Sequence, residues 1–552
     1  MQIELPQFSW NSSNTTLSPW LVEGLVYAAC ACLGVLVYCL TDHLMQKFQG
    51  KKGKTLPSPP VHAILGHIPA VAKYIAKGEH LDNMIQDLTP SLGKIFELKL
   101  ILNNFVVVTD PDLVKEVLVT RNMIKSPTYR VLFPFIGHRS ILVSEKEVWH
   151  KQRRAFNPGF SFGFLKAMVP VFVSKSQLLL DKLGVAADSG EVVSFYDAVR
   201  LTTMDIICET AFSENFNFQT SDPPPELYTL FMELFTITAY FSQAPHLEWM
   251  RWLPWNVLKI SGLQRKFDAI LMGVIDRRVQ HLASLAAGAV KPAAAAAAAA
   301  AAGKQAVAAT ARPGELEEAE YVGPIAGVVA KDILTLAIQT ASAGGKSLDM
   351  QEILSQVKTF LFAGHDTTAS TLACAVYELS THPEIEAKML AEIREVCGDR
   401  HPTADELGQM KYMTAIIKET LRLWPPGATA RWADKGTILG GYDVGGKILY
   451  LPHWPGQRDP SLWGPTAEVF SPERFLDEEY MATVHPFAYQ PFSKGPRDCI
   501  GQVFAMLEAK AVLILLYQHL SFSYAHSEPE VPAHKVTAYP RFGVPVKVTR
   551  RH

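Results

Sequence analysis

A single cysteine, Cys499, stands in a segment whose residue types suit a metal ligand: Phe-Ser-Lys-Gly-Pro-Arg-Asp-Cys-Ile-Gly, beginning at Phe492. Gly495 and Gly501 flank the cysteine, and Arg497 lies two residues before it. At average amino-acid usage, these five fixed positions are expected by chance about 10⁻⁴ times in a chain of this length. Glycines let the backbone pass close to a flat ligand, backbone N–H groups can bond a sulfur, and an arginine can neutralise a carboxylate. The alternative is a small buried hydrophobic cysteine; the flanking residues instead favour a thiolate ligand to haem iron.

This segment resembles the haem-ligand signature of the cytochromes P-450, the haem-thiolate monooxygenases. The resemblance implies a mainly α fold with small β-sheets (α+β), in which the haem lies between a long central helix and the cysteine loop. It implies that Cys499 is the axial iron ligand and that Phe492, Arg497 and Gly501 contact the haem. The implied cofactor is haem b (iron protoporphyrin IX), with O2 as co-substrate.

A second polar segment, Ala-Gly-His-Asp-Thr from Ala363 to Thr367, lies inside an apolar helical pattern. Gly364 weakens a helix and the Thr367 hydroxyl can bond a backbone carbonyl, so we expect an interruption that opens a small polar notch. The alternative is a helix end capped by Asp366. The segment resembles the oxygen-activating helix of the same family, which implies that Asp366 delivers protons and Thr367 stabilises bound oxygen. Because alanine has no carboxylate, Ala363 excludes the ester bond to haem that glutamate forms there in one branch of the family.

Two weaker motifs gain meaning from the same resemblance. Glu419 and Arg422 lie three residues apart on one face of a predicted helix, a spacing that alone usually marks a solvated surface pair. The resemblance implies that Arg474, in Pro-Glu-Arg-Phe, joins them in a network that holds the cysteine loop in place. Trp149 and Arg153 lie one helical turn apart, which alone favours a core tryptophan beside a surface arginine.

The resemblance implies that Trp149 and Arg153 instead contact a haem propionate, with Arg431 as a third propionate partner. His365 and His453 have no matching partner in the sequence, so we do not expect either to bind iron. No Cys-x-x-Cys motif or histidine-rich cluster predicts a zinc site. The 7 cysteines show no disulfide pattern, as expected where thiols stay reduced.

The N-terminal residues predict a membrane anchor. The segment from Trp20 to Leu40 is apolar except for Glu23, and about 20 such residues can cross a bilayer. A secretory signal peptide is the alternative, but no Lys or Arg precedes the segment, whereas lysines follow it from Lys47. Since positive charge stays cytoplasmic, we expect a single-pass protein of the endoplasmic reticulum membrane with its catalytic domain in the cytosol.

The predicted organisation follows from this anchor. We expect, in chain order, a lumenal tail (1–19), a transmembrane anchor (20–40), a basic and proline-rich hinge (41–60) and a catalytic domain (61–552), with an alanine-rich surface insertion at 285–323 that has no catalytic role. Strands are predicted around Phe96 and Phe105 with a turn at Asn103-Asn104, and a helix over Pro383–Val396. A further helix is expected to begin near Lys331, ahead of the central helix.

The implied reaction inserts one atom of O2 into a lipophilic small molecule: a fatty acid, terpenoid, sterol or xenobiotic. No Gly-x-Gly-x-x-Gly segment follows a predicted strand, so electrons must come from a partner. The resemblance implies a membrane-bound NADPH–cytochrome reductase and admits cytochrome b5. We expect Lys151, Arg154 and Lys494 to dock its acidic flavin domain. A net charge of −2 without a long basic run gives no reason to expect nucleic acid binding.

Two other functions remain open from the sequence. One is a haem-thiolate isomerase or dehydratase, although such relatives usually lack the pair formed by Asp366 and Thr367. The other is a non-catalytic membrane haem protein that binds lipophilic ligands. Six aromatic residues are candidates for an apolar substrate lining or, alternatively, for simple core: Phe133, Phe135, Phe231, Phe235, Tyr240 and Phe241.

Overall fold

The computed structural model describes residues 53–62, 65–77, 79–100, 103–243, 250–300, 332–343 and 348–551. The predicted lumenal tail and membrane anchor lie outside these residues, and so does the alanine-rich segment beyond Ala300. Up to that point the segment continues the helix Pro254–Ala300. By length and composition alone, one helical stretch of the described chain, Phe162–Ser189, could cross a membrane. Within the fold, the main part of this stretch packs against the helix Gln502–His519.

The described chain is mainly helical, as expected. Its α-helices are Ile68–Ala76, Leu81–Leu92, Pro111–Lys115, Phe133–Ile136, Lys146–Phe156, Phe162–Leu165, Val169–Ser189, Phe195–Phe212, Glu226–Gln243, Pro254–Ala300, Ile333–Ala343, Met350–Thr381, Pro383–Val396, Ala404–Gln409, Lys411–Leu423, His453–Gln457, Pro460–Trp463, Glu478–Thr483 and Gln502–His519. Short 3₁₀ turns cover Pro127–Leu132, Asn157–Phe160, Lys166–Met168 and Pro472–Phe475, and a π turn covers Glu116–Thr120.

Small sheets flank the helices. The largest sheet has the strand order Ile95–Leu100, Asn103–Val108, Ile448–Leu451, Thr429–Trp432, and its middle pair is parallel. A second sheet has the order Val192–Ser194, Pro545–Arg550, Leu520–Tyr524. Two hairpins complete the strands: Ile438–Leu439 with Tyr442–Asp443, and Pro532–His534 with Ala538–Pro540, hereafter the C-terminal hairpin.

The central helix, Met350–Thr381, is buried along most of its length. It begins with a capping box, in which the Asp349 carboxylate accepts the N–H of Glu352 at 2.8 Å and the Glu352 carboxylate accepts the N–H of Asp349 at 3.1 Å. The helix is continuous across Gly364, so the predicted interruption and the alternative helix end are both wrong. The glycine instead permits close packing, because a Cβ at this position would lie 2.8 Å from the Ile207 side chain.

Most of the local predictions are confirmed. The two predicted strands are Ile95–Leu100 and Asn103–Val108, which pair antiparallel. The helix Pro383–Val396 has the predicted bounds, and the helix ahead of the central helix begins at Ile333. The predicted turn is wrong in one respect: Asn103 and Asn104 already belong to the second strand, where they pair with the end of the first.

Candidate active site

An apolar cavity of about 350 Å³ separates the central helix from the cysteine loop, residues 492–501. The cysteine loop contributes Cys499, Phe492 and Gly501 to its wall, and the central helix contributes Ala363 and Thr367. Residues predicted from distant parts of the sequence therefore face one space. We refer to this space below as the cysteine cavity.

Backbone geometry in the cysteine loop presents the thiol to the cavity. The N–H of Cys499 donates to the carbonyl of Phe492 at 2.9 Å and closes the loop. Gly495 has φ +79°, and a Cβ there would lie 2.7 Å from the carbonyl oxygen of Leu118, so both conformation and space require glycine. At Gly501 a Cβ would lie 3.8 Å from the Cys499 sulfur, which is ordinary contact.

Cys499 differs from the other cysteines of the described chain. Its side chain is exposed to the cavity, although protein surrounds the site, whereas Cys208, Cys374 and Cys397 are buried. Burial raises the pKa of the Cys499 thiol, and the N–H of Gly501 opposes this shift because it hydrogen-bonds the sulfur. A ligand in the cavity can reach this thiol, and the thiol ionises where a cation offsets the cost of burying its negative charge.

Lys125 and Arg497 line one end of the cavity, and Arg431 lies outside its wall, on the strand Thr429–Trp432. Arg497 donates to one carboxylate oxygen of Glu145 at 2.9 Å, and the other oxygen accepts the backbone N–H of Lys125 at 2.7 Å. Lys125 and Arg431 are joined by an antiparallel backbone bridge. Burial, followed by the nearby charges of Arg431 and Arg497, lowers the pKa of Lys125 well below its usual value. The guanidinium groups of Arg431 and Arg497 thus interact with a single carboxylate, that of Glu145, which leaves an excess of positive charge.

The unsatisfied hydrogen-bond donors of Arg431 indicate most clearly that this cluster binds an anion. Its side chain is fully buried, and one Nη donates to the carbonyl of the adjacent Ala430 at 3.2 Å. Its Nε and its other Nη have no partner among the described residues. Leaving a buried guanidinium unsatisfied is costly, so the cluster fits a ligand with two carboxylates, as haem has in its propionates. The accessible thiol, the apolar walls and this cluster together match haem.

Trp149 and Arg153 both line the cavity, on the helix Lys146–Phe156. The guanidinium of Arg497 lies 4.7 Å from the centre of the Trp149 ring, a cation–π contact that orients both groups. Arg153 donates to the carboxylate of Asp498 at 2.7 Å and to its carbonyl at 2.8 Å. Arg153 therefore braces the residue next to Cys499 and also reaches the cavity.

On the central helix, the two residues of the predicted acid–threonine pair have different environments. Thr367 lines the cavity, and its hydroxyl donates to the carbonyl of Ala363 at 2.7 Å. Asp366 is buried and accepts a hydrogen bond from the Tyr196 hydroxyl at 3.0 Å, with the Nε of Arg200 at 3.8 Å. Its second carboxylate oxygen accepts a hydrogen bond from Thr537 of the C-terminal hairpin.

Sequence reasoning missed three residues of this site. Lys125 gave no local signal, because its role depends on strands and loops distant in the chain. Thr537 is separated from Asp366 by 171 residues, so only the fold brings the two together. Glu508 did give a signal, as a carboxylate within the apolar helix Gln502–His519. Burial raises the pKa of Glu508 well above its usual value, and neither carboxylate oxygen has a hydrogen-bond partner among the described residues.

The structural network that the resemblance implied is present in the fold. Glu419 accepts two hydrogen bonds from Arg422, both at 2.7 Å, and one from Arg474 at 2.9 Å. Glu419 and Arg422 have no exposed surface. Arg422 and Arg474 also donate to the carbonyl of Val469, at 3.2 and 3.1 Å, so the network fixes the chain ahead of the cysteine loop. The solvated surface pair is therefore the wrong alternative.

The six aromatic candidates and Lys151 are absent from the cavity wall. Phe135 packs against Phe231 at 4.9 Å and against Phe362 at 5.5 Å between ring centres, but only Phe362 lines the cavity. The six aromatic candidates thus form core or surface rather than its wall. His453 lines the cavity, and burial lowers its pKa to about 4. Lys151, expected to dock a partner, is paired with Glu352 at 2.8 Å.

A cluster outside the cavity brings His80, Asp82 and His534 within 4.8 Å of one another. The Nδ1 of His80 accepts the N–H of Asp82 at 3.2 Å. This bond leaves the proton of the neutral imidazole on Nε2, which then has no lone pair for a metal. We therefore assign this cluster to packing between the helix Leu81–Leu92 and the C-terminal hairpin.

A mainly helical fold that encloses an accessible thiol beside a cationic cluster fits the class of haem-thiolate enzymes. The Cytochrome P450 family model matches residues 56–545. A cytokinin hydroxylase of Arabidopsis thaliana is 27% identical over 544 residues, covering 95% of each chain. Cytochrome P450 4d8 of Drosophila melanogaster is 30% identical over 442 residues, covering 75% of this chain and 85% of its own. Cytochrome P450 4A7 of Oryctolagus cuniculus is 27% identical over 559 residues, covering 99% of this chain and 100% of its own.

The chain therefore belongs to the cytochrome P450 family and is a monooxygenase enzyme. Membership implies a haem cofactor, O2 as co-substrate and electrons from a redox partner.

Proposed function

We propose that this enzyme inserts one oxygen atom into a lipophilic small molecule held in the cysteine cavity, with Cys499 as the axial ligand of haem b. The observation that carries the proposal is that the Cys499 thiol and the Thr367 hydroxyl line the same apolar cavity. When bound, the haem supplies the activation of O2. The protein residues hold the haem, supply protons and exclude water.

In this proposal the cationic end of the cavity binds the haem propionates. Arg431 and Arg497 supply the charge, Lys125 lines the same end of the cavity, and Trp149 orients the Arg497 guanidinium. Arg153 contributes by fixing Asp498, the neighbour of the ligand cysteine. Phe492 and Gly501 contact the haem on the thiol side. The Glu419 network acts at a distance, because it holds the chain that leads into the cysteine loop.

The two residues of the acid–threonine pair divide the handling of protons and oxygen. The Thr367 hydroxyl donates to a helix carbonyl, so its oxygen is free to accept a hydrogen bond from a group in the cavity. Asp366 is held by Tyr196 and Arg200. It is the proposed proton donor and lies just outside the wall of the cysteine cavity. Positioned acids of this kind contribute about 10²–10⁴-fold to a proton-transfer step.

The cavity supports a lipophilic substrate. Leu132, Ile207, Phe362 and Val536 contribute apolar side chains to its lining. A fatty acid, terpenoid, sterol or xenobiotic each matches this chemistry, because all bury apolar surface and none needs a paired buried charge. The cytokinin hydroxylase among the relatives is named for a small-molecule hydroxylation, which agrees with the reaction class.

Electrons are proposed to come from an NADPH–cytochrome reductase, with cytochrome b5 as a further donor, at the endoplasmic reticulum membrane. Because Lys151 is paired with Glu352, we exclude it from the proposed docking patch. Other residues of the helix Lys146–Phe156 still provide a basic patch. Lys146, His150 and Arg154 are exposed at four-residue spacing, hence on one face of the helix. Lys494 of the cysteine loop is half-buried and is kept as a further basic candidate for docking. The anchor at 20–40 and the hinge at 41–60 would hold the catalytic domain at the membrane.

The test of this function uses the full-length protein in detergent with a purified reductase. We expect the reduced protein to give the carbon monoxide spectrum of a thiolate complex, and to oxidise NADPH only when reductase is present. Cys499→Ser should abolish that spectrum, whereas Cys397→Ser, at a buried cysteine away from the cavity, should retain it. A thiolate spectrum in Cys499→Ser, or none in the wild type, would contradict the proposal. A screen of lipid classes for spectral shifts identifies the substrate.

A further inference from the structure

Thr537 contacts both Asp366 and the cysteine cavity, and the roles proposed for Asp366 and Thr367 do not account for this position. It lies in the turn of the C-terminal hairpin, between Pro532–His534 and Ala538–Pro540, and it contributes to the wall of the cysteine cavity. Its hydroxyl donates to a carboxylate oxygen of Asp366, which is itself absent from that wall. Thr537 is therefore a direct hydrogen-bonded link between the buried acid and the cavity.

The contacts around Asp366 leave one route into the cavity. One carboxylate oxygen accepts the Tyr196 hydroxyl at 3.0 Å and lies 3.8 Å from the Nε of Arg200. The other oxygen accepts Thr537. Burial raises the pKa of Tyr196 far above its usual value, so this phenol is a poor proton donor. Thr367, although adjacent in sequence, donates its own hydroxyl proton to the Ala363 carbonyl.

We propose that Thr537 relays protons from Asp366 to the cysteine cavity. The proton of the Asp366 carboxylic acid passes to the Thr537 oxygen as the Thr537 hydroxyl proton passes to a water or an oxygen atom in the cavity. One O–H bond forms at each acceptor as one breaks at each donor, and no electrons are transferred. The transfer leaves Asp366 ionised and accepting the Thr537 hydroxyl, which is the observed contact. A proton from solvent on Asp366 and rotation of the hydroxyl towards the cavity then restore the starting state. This inference rests on the proposed function and identifies a further catalytic residue for it.

A purely structural role is the competing explanation, because Thr537 also ties the hairpin to the central helix. The chain offers a matched control for that role. Ser370, on the same helix, donates its hydroxyl to the carbonyl of Ala538 in the same hairpin at 2.9 Å. Ser370→Ala therefore removes a tether between the same two elements without touching Asp366.

The experiment compares Thr537→Val, Thr537→Ser and Ser370→Ala in the full-length protein with reductase and with dodecanoic acid as a lipophilic probe. The readouts are NADPH oxidised, hydrogen peroxide released per NADPH, and the solvent deuterium isotope effect on NADPH oxidation. Peroxide release per NADPH does not depend on knowing the natural substrate.

We expect Thr537→Val to lower the rate of NADPH oxidation about 10-fold or more, and to raise peroxide release and the isotope effect. Thr537→Ser and Ser370→Ala should match the wild type. Equal effects of Thr537→Val and Ser370→Ala, or none from Thr537→Val, would overturn the relay. Should Thr537→Val lose its haem, Thr537→Ala replaces it with the same expectations. A wild type without a thiolate spectrum or reductase-dependent NADPH oxidation would instead refute the proposed function.

Discussion

The carboxylate of Glu419 and the guanidinium of Arg422 form a two-pronged ion pair, with both hydrogen bonds at 2.7 Å, in a place with no solvent contact. Arg474 adds a third donor to the same carboxylate. Two buried cations thus depend on one anion. Removing the anion should cost far more than its own hydrogen bonds, because both guanidinium groups would remain buried without a counter-charge.

We expect Glu419→Gln to destabilise the protein by about 3–5 kcal/mol and to reduce the fraction that retains a thiolate-bound haem. Thermal unfolding followed by circular dichroism, together with the carbon monoxide spectrum, measures both effects. Asp188→Asn is the matched control. Asp188 forms a similar two-pronged pair with Arg550, also at 2.7 Å, but on the surface, where solvent screens the charges. Equal shifts in the two variants would contradict the argument from burial.

Arg431 should affect the haem-free and haem-bound proteins in opposite directions. Its unsatisfied Nε and Nη groups are a cost to the fold alone, and propionate binding removes that cost. We therefore expect Arg431→Leu to leave the haem-free protein equally or more stable, while weakening haem retention about 10-fold. Transfer of haem to excess apomyoglobin measures retention, and Arg431→Lys, which keeps the charge, should retain more haem than the leucine variant. Loss of stability in haem-free Arg431→Leu would show a structural role instead.

The sequence was sufficient where chemistry depends on residues close together in the chain. Cys499 and its flanking Gly495 and Arg497 form one loop, so residue type and spacing identified them. Glu419 and Arg422 share one helical turn, but only the family resemblance distinguished their buried network from a surface pair. It was insufficient where a contact joins distant segments. Thr537 and Lys125 carry no local pattern, because each gains its role only from strands and loops that the whole fold brings together.

The uninterrupted central helix shows a second limit. Low helix propensity at Gly364 predicted a break, but propensity costs only about 1 kcal/mol. A Cβ at this position would lie 2.8 Å from the buried Ile207 side chain, which would have to move to make room for it. Tertiary packing therefore decided the conformation. Sequence patterns identified the helix but not the reason for its glycine.

Gly495 should be intolerant of a side chain for two separable reasons. Its φ of +79° is unfavourable for other residues, and a Cβ would approach the Leu118 carbonyl oxygen to 2.7 Å. Gly464 shares the first feature, with φ +73°, but a Cβ there would meet no atom within 4 Å. We expect Gly464→Ala to cost about 1–2 kcal/mol from backbone strain alone. Gly495→Ala should cost more and also diminish the thiolate spectrum, because the cysteine loop must move; equal behaviour of the two variants would exclude the steric argument.

Glu508 should make the stability of the protein depend on pH in a defined direction. Burial raises the pKa of its carboxyl in the folded state, so the folded protein keeps a proton that the unfolded chain releases above about pH 4.5. Stability contributed by this proton is complete below the unfolded pKa and is lost as the pH rises towards the folded pKa. The loss amounts to about 1.4 kcal/mol for each pH unit within that window.

Glu508→Gln removes the titration while preserving the shape of the side chain. Its free energy of unfolding should therefore gain on that of the wild type as the pH rises from 6 to 8. Denaturant unfolding at the two pH values measures this difference, and Glu395→Gln, at an exposed glutamate, should show no such gain. A constant difference between Glu508→Gln and the wild type across this range would mean that Glu508 is ionised in the fold.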